Sequence, residues 1–518
     1  MPVPSSRSRL LAVLTAVALV ATGCTVGPDP GPGMVHGRGG ADTDDRAARL
    51  PALTAPKNDL NYRACGPELA EFYQVDAPKD LQVDCAGFIV PIDPDDDRST
   101  DLRMTAVRIT NDATPADAAP LVLTTGTDLP SSRLAIGLNN SSLAPLLDKH
   151  PIVAVDRRGI GRSAPLDCLT RAQRETLSND GASGARNVAE RSTALSTSAR
   201  SGADICNETL DPDQLRFANA DAAADLEFLR DYWEVDHLGL IGVGAGSSVA
   251  LAYLGAHPDR VGRLILDSPV GFNEQATAAA AARADGVQNS LATFAERCAA
   301  LGCSLGPGGV PMLNRVIHAG ATGSLPGLSD TTILAAVTTQ LALGPTDPDG
   351  LKRLADAISA ADRGDGAALR RLAGAAVDLR DSDGQLVARC NDLVGRPSLA
   401  EVPKLAEKWA ADAPMTANTA ALSLARCDGW GVADIAAATS SFPIDPLVLI
   451  GQNDPINGSK AAEALSPLLI TTGAESTHVN WDGLGYSVLS RSDCAAALTA
   501  EYLGTDGLSG SAERACPA

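Results

Sequence analysis

The sequence predicts an α/β fold, a mostly parallel sheet flanked by helices, with a helical lid inserted into it. Residues 236–270 have the pattern of a buried strand, a glycine turn, an alanine-rich helix and a second buried strand, which is a parallel strand–helix–strand unit. Residues 271–440 then show apolar positions at helical spacing without strands of similar strength. Strand patterns return at 446–451 and 477–482, so the helices interrupt a single sheet.

The remaining elements complete this fold in chain order. An acidic turn separates two apolar runs near the start, which predicts a hairpin. Short buried strands and an amphipathic helix follow before the glycine turn, whereas residues 171–201 are polar and predict a surface excursion. The predicted strands are 87–92, 102–109, 121–125 and 151–155, and the predicted helices that flank the lid are 218–232 and 493–503.

The N-terminus has the features of an export signal. Arg7 and Arg9 precede an apolar run at 10–20, and Ala21-Thr22-Gly23-Cys24 follows. The apolar run is too short for a transmembrane helix. Small residues before a cysteine resemble a bacterial lipobox, so we expect a lipidated Cys24 that anchors the chain to the membrane. The alternative is an ordinary signal peptide with an incidental cysteine.

These patterns divide the chain into five parts. A signal peptide and lipobox (1–24) precede a flexible tether rich in Gly, Pro and Asp (25–56). The first part of the sheet domain (57–270), the helical lid (271–440) and the second part of the sheet domain (441–518) follow. We therefore expect an exported protein at the cell envelope, attached to the outer face of the cytoplasmic membrane, or a secreted one.

Charge and cysteine content limit the possible partners. The net charge of −21 argues against a nucleic-acid partner because phosphates would be repelled. Without Cys24, ten cysteines remain, and an even number in an exported chain predicts disulfides. Sequence alone leaves the connectivity open, and our hypothesis is pairing in chain order. A metal site is not expected, since C-x-x-C spacing is absent. The ten are Cys65, Cys85, Cys168, Cys206, Cys298, Cys303, Cys390, Cys427, Cys494 and Cys516.

The glycine turn has the frame of a nucleophile elbow. The elbow pattern G-x-S-x-G places a serine between a strand and a helix. Here the frame reads Gly242-Val243-Gly244-Ala245-Gly246, with Gly244 at the serine position. The spacing G-x-G-x-G also differs from the G-x-G-x-x-G of nucleotide-binding loops, so no cofactor is expected.

Several motifs together resemble one family. They are CAGFIVPID, VDRRGIGRSAPLDC, the glycine turn through HPDRVGRLILDSP, RCNDL, CDGWGV, LVLIGQNDPINGSKAAEAL and the C-terminal GLG, SDC, YLG and Cys516. The chain resembles the actinobacterial tripeptidyl-aminopeptidase-like (TAP-like) α/β-hydrolases, relatives of the prolyl aminopeptidases. The resemblance implies a serine hydrolase fold with a helical cap, acting on peptide N-termini or esters outside the cytoplasm.

Three departures from this family concern catalysis. Gly244 occupies the nucleophile position, and Leu484, within Gly483-Leu484-Gly485, occupies the histidine position. Of the implied triad only the acid, Asp454, is present. The implied oxyanion loop, usually Gly-Gly-Pro-Gly, reads Thr-Thr-Gly-Thr-Asp at 124–128. Its residues Gly126 and Thr127, with Ala245, are the expected oxyanion or pocket positions.

Two functions follow from these positions. Glycine and leucine provide neither a nucleophile nor a base, which favours a non-catalytic protein that binds a peptide, a lipid or an envelope protein. The alternative is an active peptidase or esterase with a relocated nucleophile, for which Ser247, Ser248 and His478 are the nearest candidates. A purely structural role is a third and weaker option. The acidic residues with which the family binds amines have no identifiable counterparts in the lid.

Overall fold

A computed structural model describes residues 50–518, except 97, 184–186, 505–507 and 509–510. The predicted signal peptide, Cys24 and most of the predicted tether lie outside the described residues. The last residues of that tether, 50–56, lie along the sheet domain. Leu53 packs against its core, and the carbonyl of Pro51 accepts a hydrogen bond from Arg263 Nη1 at 2.9 Å.

In the described part of the chain, ten strands form one sheet in the order β1-β2-β3-β5-β4-β6-β7-β8-β9-β10. Strands β1, β2, β3 and β5 pair antiparallel, and all pairs from β5 through β4 to β10 are parallel. The strands are β1 Arg63–Ala64, β2 Gln82–Pro91, β3 Asp101–Thr110, β4 Leu121–Thr124, β5 Ile152–Val155, β6 Leu238–Val243, β7 Val261–Asp267, β8 Leu447–Asn453, β9 Thr477–Leu484 and β10 Ala512–Cys516.

The helices cover both faces of the sheet and form the lid. They are α1 Gly66–Tyr73, α2 Ser131–Ile136, α3 Asn140–Leu147, α4 Arg171–Ser178, α5 Val188–Leu210, α6 Asn219–Trp233, α7 Gly246–Ala256, α8 Ala276–Leu301, α9 Gly309–Ala321, α10 Asp330–Leu343, α11 Pro348–Asp362, α12 Ala367–Arg380, α13 Asp383–Asn391, α14 Val402–Trp409, α15 Ala417–Ser423, α16 Ser459–Glu463, α17 Ser466–Thr472 and α18 Asp493–Tyr502.

The central strands are buried on both faces, which explains their continuous apolar sequences. Every residue of β4, β5, β6 and β7 is buried. Alternate side chains of these strands enter two apolar clusters, one on each face of the sheet. The predicted fold class, a mostly parallel sheet with flanking helices, is confirmed.

Helices α8–α15 lie between β7 and β8 and have an apolar core of their own. Phe294 of α8, Leu341 of α10 and Ile358 of α11 are buried at its centre. Leu484, at the end of β9, joins this cluster from the sheet domain. The lid therefore packs directly on the edge of the sheet where the parallel strands end.

The polar segment 171–201 is not the surface excursion that its composition predicts. It contains α4 and the first half of α5, whose inner faces pack in a buried cluster with Phe217 and Trp430. Arg191 is buried there and its Nη1 lies 2.8 Å from Asp330 Oδ2. Partners on distant elements make such burial possible, and a local polar pattern gives no sign of those partners.

All ten cysteines form disulfides in chain order, as our hypothesis states. The pairs are Cys65–Cys85, Cys168–Cys206, Cys298–Cys303, Cys390–Cys427 and Cys494–Cys516. Each disulfide links segments that are close in sequence. Among the residues that the structure describes, no helix combines the length and apolar character needed to cross a bilayer.

Candidate functional site

The turn between β6 and α7 keeps the backbone conformation of a nucleophile elbow. Gly244 has a φ of 55°, the left-handed region that costs a non-glycine residue energy. Its amide donates to the carbonyl of Asp267 at 2.8 Å, which ties the turn to the end of β7. The conformation that presents a catalytic serine in such folds is therefore present here without a side chain.

The carboxylate of Asp128 occupies the space in front of Gly244. Its Oδ2 accepts hydrogen bonds from the Ala245 amide at 2.9 Å, Asn457 Nδ2 at 2.8 Å and Tyr486 Oη at 3.1 Å. A Cβ atom on Gly244 would lie 2.0 Å from this oxygen, a distance that no real contact allows. The Asp128 carboxylate therefore lies where a nucleophile side chain would begin.

This contact also occupies the donor that would stabilise a reacting oxygen. The amide of the residue after the elbow nucleophile normally points at the oxyanion of the intermediate. Here the Ala245 amide is bound to the Asp128 carboxylate instead. Hydrogen bonds to a carboxylate are shorter and stronger than those to neutral acceptors, so an uncharged carbonyl competes poorly for this donor.

Gly126 and Thr127 hold the loop that carries Asp128. Gly126 has a φ of 58°, and a Cβ there would lie 2.6 Å from the backbone of Ala245, so only glycine allows this approach. The carbonyl of Thr127 accepts from Arg389 Nη2 at 2.9 Å and from Gln385 Nε2 at 3.2 Å. The loop is thus fixed between the elbow and the lid helix α13.

Asp454 follows β8 and is a buried carboxyl with one unused oxygen. Its Oδ1 accepts from the amides of Ile456 and Asn457. Its Oδ2 is buried and has no hydrogen-bond partner among the described residues. Burial, together with the nearby charge of Asp128, raises the pKa of Asp454 to about 7. The imidazole of a catalytic triad would bind such an oxygen.

Leu484 of β9 pairs with Asn453 of β8, which is the residue before Asp454. Its side chain is buried in the apolar core of the lid. Two residues later, Tyr486 returns to the elbow, and its phenol also contacts the carbonyl of Val243 at 3.2 Å. Burial and the charge of Asp128 raise the pKa of Tyr486 well above its ordinary value. The phenol therefore keeps its proton and acts as a donor.

The loop after β9 is anchored by Asp267, a second buried carboxylate. It accepts from Ser487 Oγ at 2.8 Å and from the amides of Val488 at 2.8 Å and Leu489 at 3.1 Å. The three partners follow Tyr486 directly in sequence. Asp267 thereby holds the segment that carries the phenol to the elbow.

The two serines after the elbow differ in what they contact. Ser247 is fully buried; its hydroxyl donates to the Gly244 carbonyl at 2.7 Å and accepts from the Val270 amide at 3.2 Å. Ser248 lines the cavity under the lid. His478 contacts Ser476 at 2.8 Å and approaches Glu513. No described histidine makes a hydrogen bond to either serine or to Asp454.

A cavity of about 370 Å³ lies between the elbow and the lid. Thr127, Asp128, Ala245 and Ser248 form its floor. Helices α8, α10, α13 and α15 contribute alanines and larger apolar side chains to its walls, together with several arginines. Its volume falls in the range of small-molecule sites, roughly 300–1,000 Å³. Among the described residues, no cluster of His, Cys, Asp and Glu has the arrangement of a metal site.

The structure places Gly244 in the turn after β6, Asp454 after β8 and Leu484 at the end of β9, but the contact between Asp128, Asn457 and Tyr486 is visible only in the structure. Asn457 lies three residues after Asp454, and Tyr486 two residues after Leu484. This proximity to the expected positions is the signal from which they could have been suspected. Nothing in the local sequence indicates that both side chains bind the same carboxylate.

Comparison with known proteins identifies relatives of both halves of the sheet domain. Residues 129–303 match a sequence model described as the alpha/beta hydrolase fold, and residues 413–516 match one described as TAP-like protein. Tripeptidyl aminopeptidase of Streptomyces lividans is 26% identical over 278 residues, which is 51% of this chain and 50% of that protein. The chain thus spans about half the length of this curated relative.

Solved structures that are similar to this chain include two esterases. Esterase E22 is 14% identical, with a TM-score of 0.37 over 81% of this chain and 100% of the other. Naproxen esterase from Bacillus subtilis is also 14% identical, with a TM-score of 0.35 over 83% of this chain and 92% of the other. The two sequence models, rather than these distant structures, confirm the predicted fold class.

We predict that Gly244→Ala destabilises the protein more than Gly302→Ala does. Both glycines have a positive φ, but a Cβ at Gly302 would meet nothing within 4 Å. Gly302→Ala should therefore cost about 1 kcal/mol from the backbone alone. Gly244→Ala should cost about 3–5 kcal/mol, because the methyl group also displaces a hydrogen-bonded carboxylate. Urea unfolding measures both values.

Measuring Gly244→Ala and Gly302→Ala in an Asp128→Ala background isolates the effect of the Asp128 carboxylate at the elbow. The cost of Gly244→Ala should fall in that background, since the closest overlapping atom is gone. Asn457 Nδ2 and Tyr486 Oη, which would lie 2.7 Å from the new Cβ, also lose the acceptor that holds them there. Equal costs of Gly244→Ala in both backgrounds would show that Asp128 does not occupy the elbow in solution.

We predict that Asp454→Asn changes how stability depends on pH. The folded pKa of Asp454, about 7, lies above the ordinary value of 3.8. The protonated carboxyl thus contributes stability that is complete below about pH 4 and is lost as the pH rises to about 7. Relative to Asp454→Asn, which carries no charge, the wild-type protein should lose about 4 kcal/mol of unfolding free energy over this window.

Urea unfolding of both proteins at pH values from 4 to 8 gives this difference directly, because all other titrations cancel. A constant difference across that range would mean that Asp454 is ionised throughout and has a partner in solution.

Proposed function

Because the chain belongs to the TAP-like α/β-hydrolases, we propose that it is a non-catalytic member whose pocket binds a ligand at the cell envelope. The observation that carries the proposal is the Asp128 carboxylate, which lies in front of Gly244 and binds the Ala245 amide. The pocket thus holds an anion of the protein itself at the point where acyl transfer would take place.

Hydrolysis of an amide or ester in this fold needs three functions. A nucleophile attacks the carbonyl, a base takes its proton, and amides stabilise the oxyanion. Gly244 and Leu484 offer no nucleophile and no base, and the Ala245 donor is occupied. In subtilisin, loss of the serine alone lowers turnover about 10⁶-fold. Loss of all three functions therefore favours binding over catalysis.

The cavity supports a binding role. It has retained apolar walls from the lid and a polar floor, the usual composition of a ligand site. A collapsed or filled pocket would instead favour a purely structural protein.

The second candidate is a hydrolase that uses Ser248. Its position on the cavity floor is the observation in its favour. Against it, no described histidine makes a hydrogen bond to Ser248, so the hydroxyl lacks the base that a serine nucleophile requires.

We predict that the purified protein neither turns over aminoacyl-nitroanilides and short-chain esters nor reacts covalently with fluorophosphonates. An active serine hydrolase treated in parallel serves as the positive control. Labelling that disappears in Ser248→Ala but persists in Ser247→Ala would establish the second candidate and overturn the proposal.

Export and lipid anchoring belong to the same proposal. The five disulfides support an oxidising compartment outside the cytoplasm, and the sequence around Cys24 supports lipidation. We predict that the full chain, expressed in an actinobacterial host, fractionates with membranes and partitions into detergent. Cys24→Ala should release it to the aqueous phase. Equal partitioning of both forms would contradict the anchor.

A further inference from the structure

We propose that the cavity under the lid binds a small amphiphile through a carboxylate, with Arg380 and Arg283 as the residues that hold this group. This inference rests on the proposed binding function and specifies its ligand. Both arginines line the cavity, Arg380 at the end of α12 and Arg283 on α8. The proposal follows from how the charges around the cavity are paired.

Five arginines line the cavity, and three of them pair with carboxylates. Arg157 pairs with Asp392 at 2.9 Å, and Arg426 with Asp180 at 2.6 Å. Arg389 Nη1 lies 3.4 Å from Asp381. Arg283 and Arg380 have no carboxylate within 4.0 Å among the described residues. These two cations are therefore the ones available to an anion that enters the cavity.

Arg380 also has unused hydrogen-bonding capacity. Its Nη1 contacts only the hydroxyls of Thr338 and Thr339, at 3.3 and 3.2 Å. Its Nε is buried without a hydrogen-bond partner, as is Oγ1 of Thr419, another residue that lines the cavity. Buried polar atoms are nearly always satisfied in native proteins. Arg380 therefore has donor capacity that no described residue satisfies.

The arginines repel one another in the empty cavity. Burial and the charge of Arg283 lower the pKa of Arg380, against the opposing effects of Asp128 and Asp381. Burial and the charges of Arg380, Arg426 and Arg283 lower the pKa of Arg389 to about 10, against the opposing effect of Asp381. An anion placed among these groups would relieve the repulsion, because it favours their charged forms.

A carboxylate matches the charges around the cavity better than a phosphate dianion does. Asp128 lies close enough to raise the pKa of Arg380, and burial raises the pKa of Glu274 against the opposing effect of the nearby Arg283. These acids, together with Asp381 and Asp392 in the lining, already offset most of the positive charge. A single negative charge with two oxygens matches the planar guanidinium donors that remain.

The rest of the cavity wall is apolar, so it favours a ligand with an apolar chain. Val287, Leu334, Leu386 and Ile456 line it, together with alanines of α8. The volume of about 370 Å³ lies near the lower end of the range for ligand sites. A compact molecule such as a medium-chain carboxylate fills this space, whereas a full-length lipid exceeds it.

Calorimetric titration of the purified protein with butyrate, octanoate and dodecanoate tests the proposal. Octanol and octylamine, of matched chain length, are the uncharged and cationic comparisons. We expect octanoate to bind, and octanol and octylamine to bind at least about tenfold more weakly, since they lose the charged hydrogen bonds.

Two variants locate the carboxylate. Arg380→Gln and Arg283→Gln should each weaken octanoate binding about tenfold or more. Arg371→Gln is the matched control, because Arg371 lies on the same helix and is exposed outside the cavity. Arg283 is exposed as well, so its substitution leaves the fold intact even if Arg380→Gln impairs folding.

Equal binding of octanol and octanoate would overturn the inference, as would unchanged octanoate binding in Arg283→Gln or no binding by any carboxylate. These outcomes leave the proposed non-catalytic function standing if the protein also resists fluorophosphonate labelling. Labelling of a protein that binds octanoate through Arg283 would instead overturn the non-catalytic function and leave the ligand class intact.

Discussion

The carboxylate of Asp128 joins four loops at the end of the sheet where the parallel strands terminate. Asp128 itself follows β4, its donor Ala245 follows β6, Asn457 follows β8 and Tyr486 follows β9. In an open parallel sheet this edge is where ligands bind and where catalytic residues of different strands meet. A single buried anion here holds in place the loops that otherwise carry a hydrolase site.

The position of the Asp128 carboxylate at the elbow requires a glycine at position 244. Without a Cβ, the left-handed turn carries no steric strain and leaves room for the Asp128 oxygen. The same turn directs the Ala245 amide at that oxygen. The elbow therefore keeps its geometry while its donor is satisfied within the protein, which is consistent with the binding role that we propose.

Two buried carboxyl groups near the elbow differ in how many hydrogen bonds they accept. Asp267 accepts from a hydroxyl and from two amides of the loop after β9, which holds Tyr486 in place. Asp454 has one oxygen without a described partner and a pKa raised to about 7. Burial is the main cause of this shift, and the nearby charge of Asp128 adds to it.

The sequence by itself determined the sheet and the helical insertion, and it suggested the disulfide pairing in chain order as a hypothesis; the resemblance to a family suggested the positions of Gly244, Asp454 and Leu484. Apolar periodicity suffices for the strands and helices, because it depends on residues that are close in the chain. Only the tertiary structure decided that Asp128, Asn457 and Tyr486 share one contact, that residues 171–201 are partly buried, and that Arg283 and Arg380 face the cavity without carboxylate partners. These features depend on side chains that are more than a hundred residues apart, and a local sequence pattern carries no information about which distant group satisfies a buried charge.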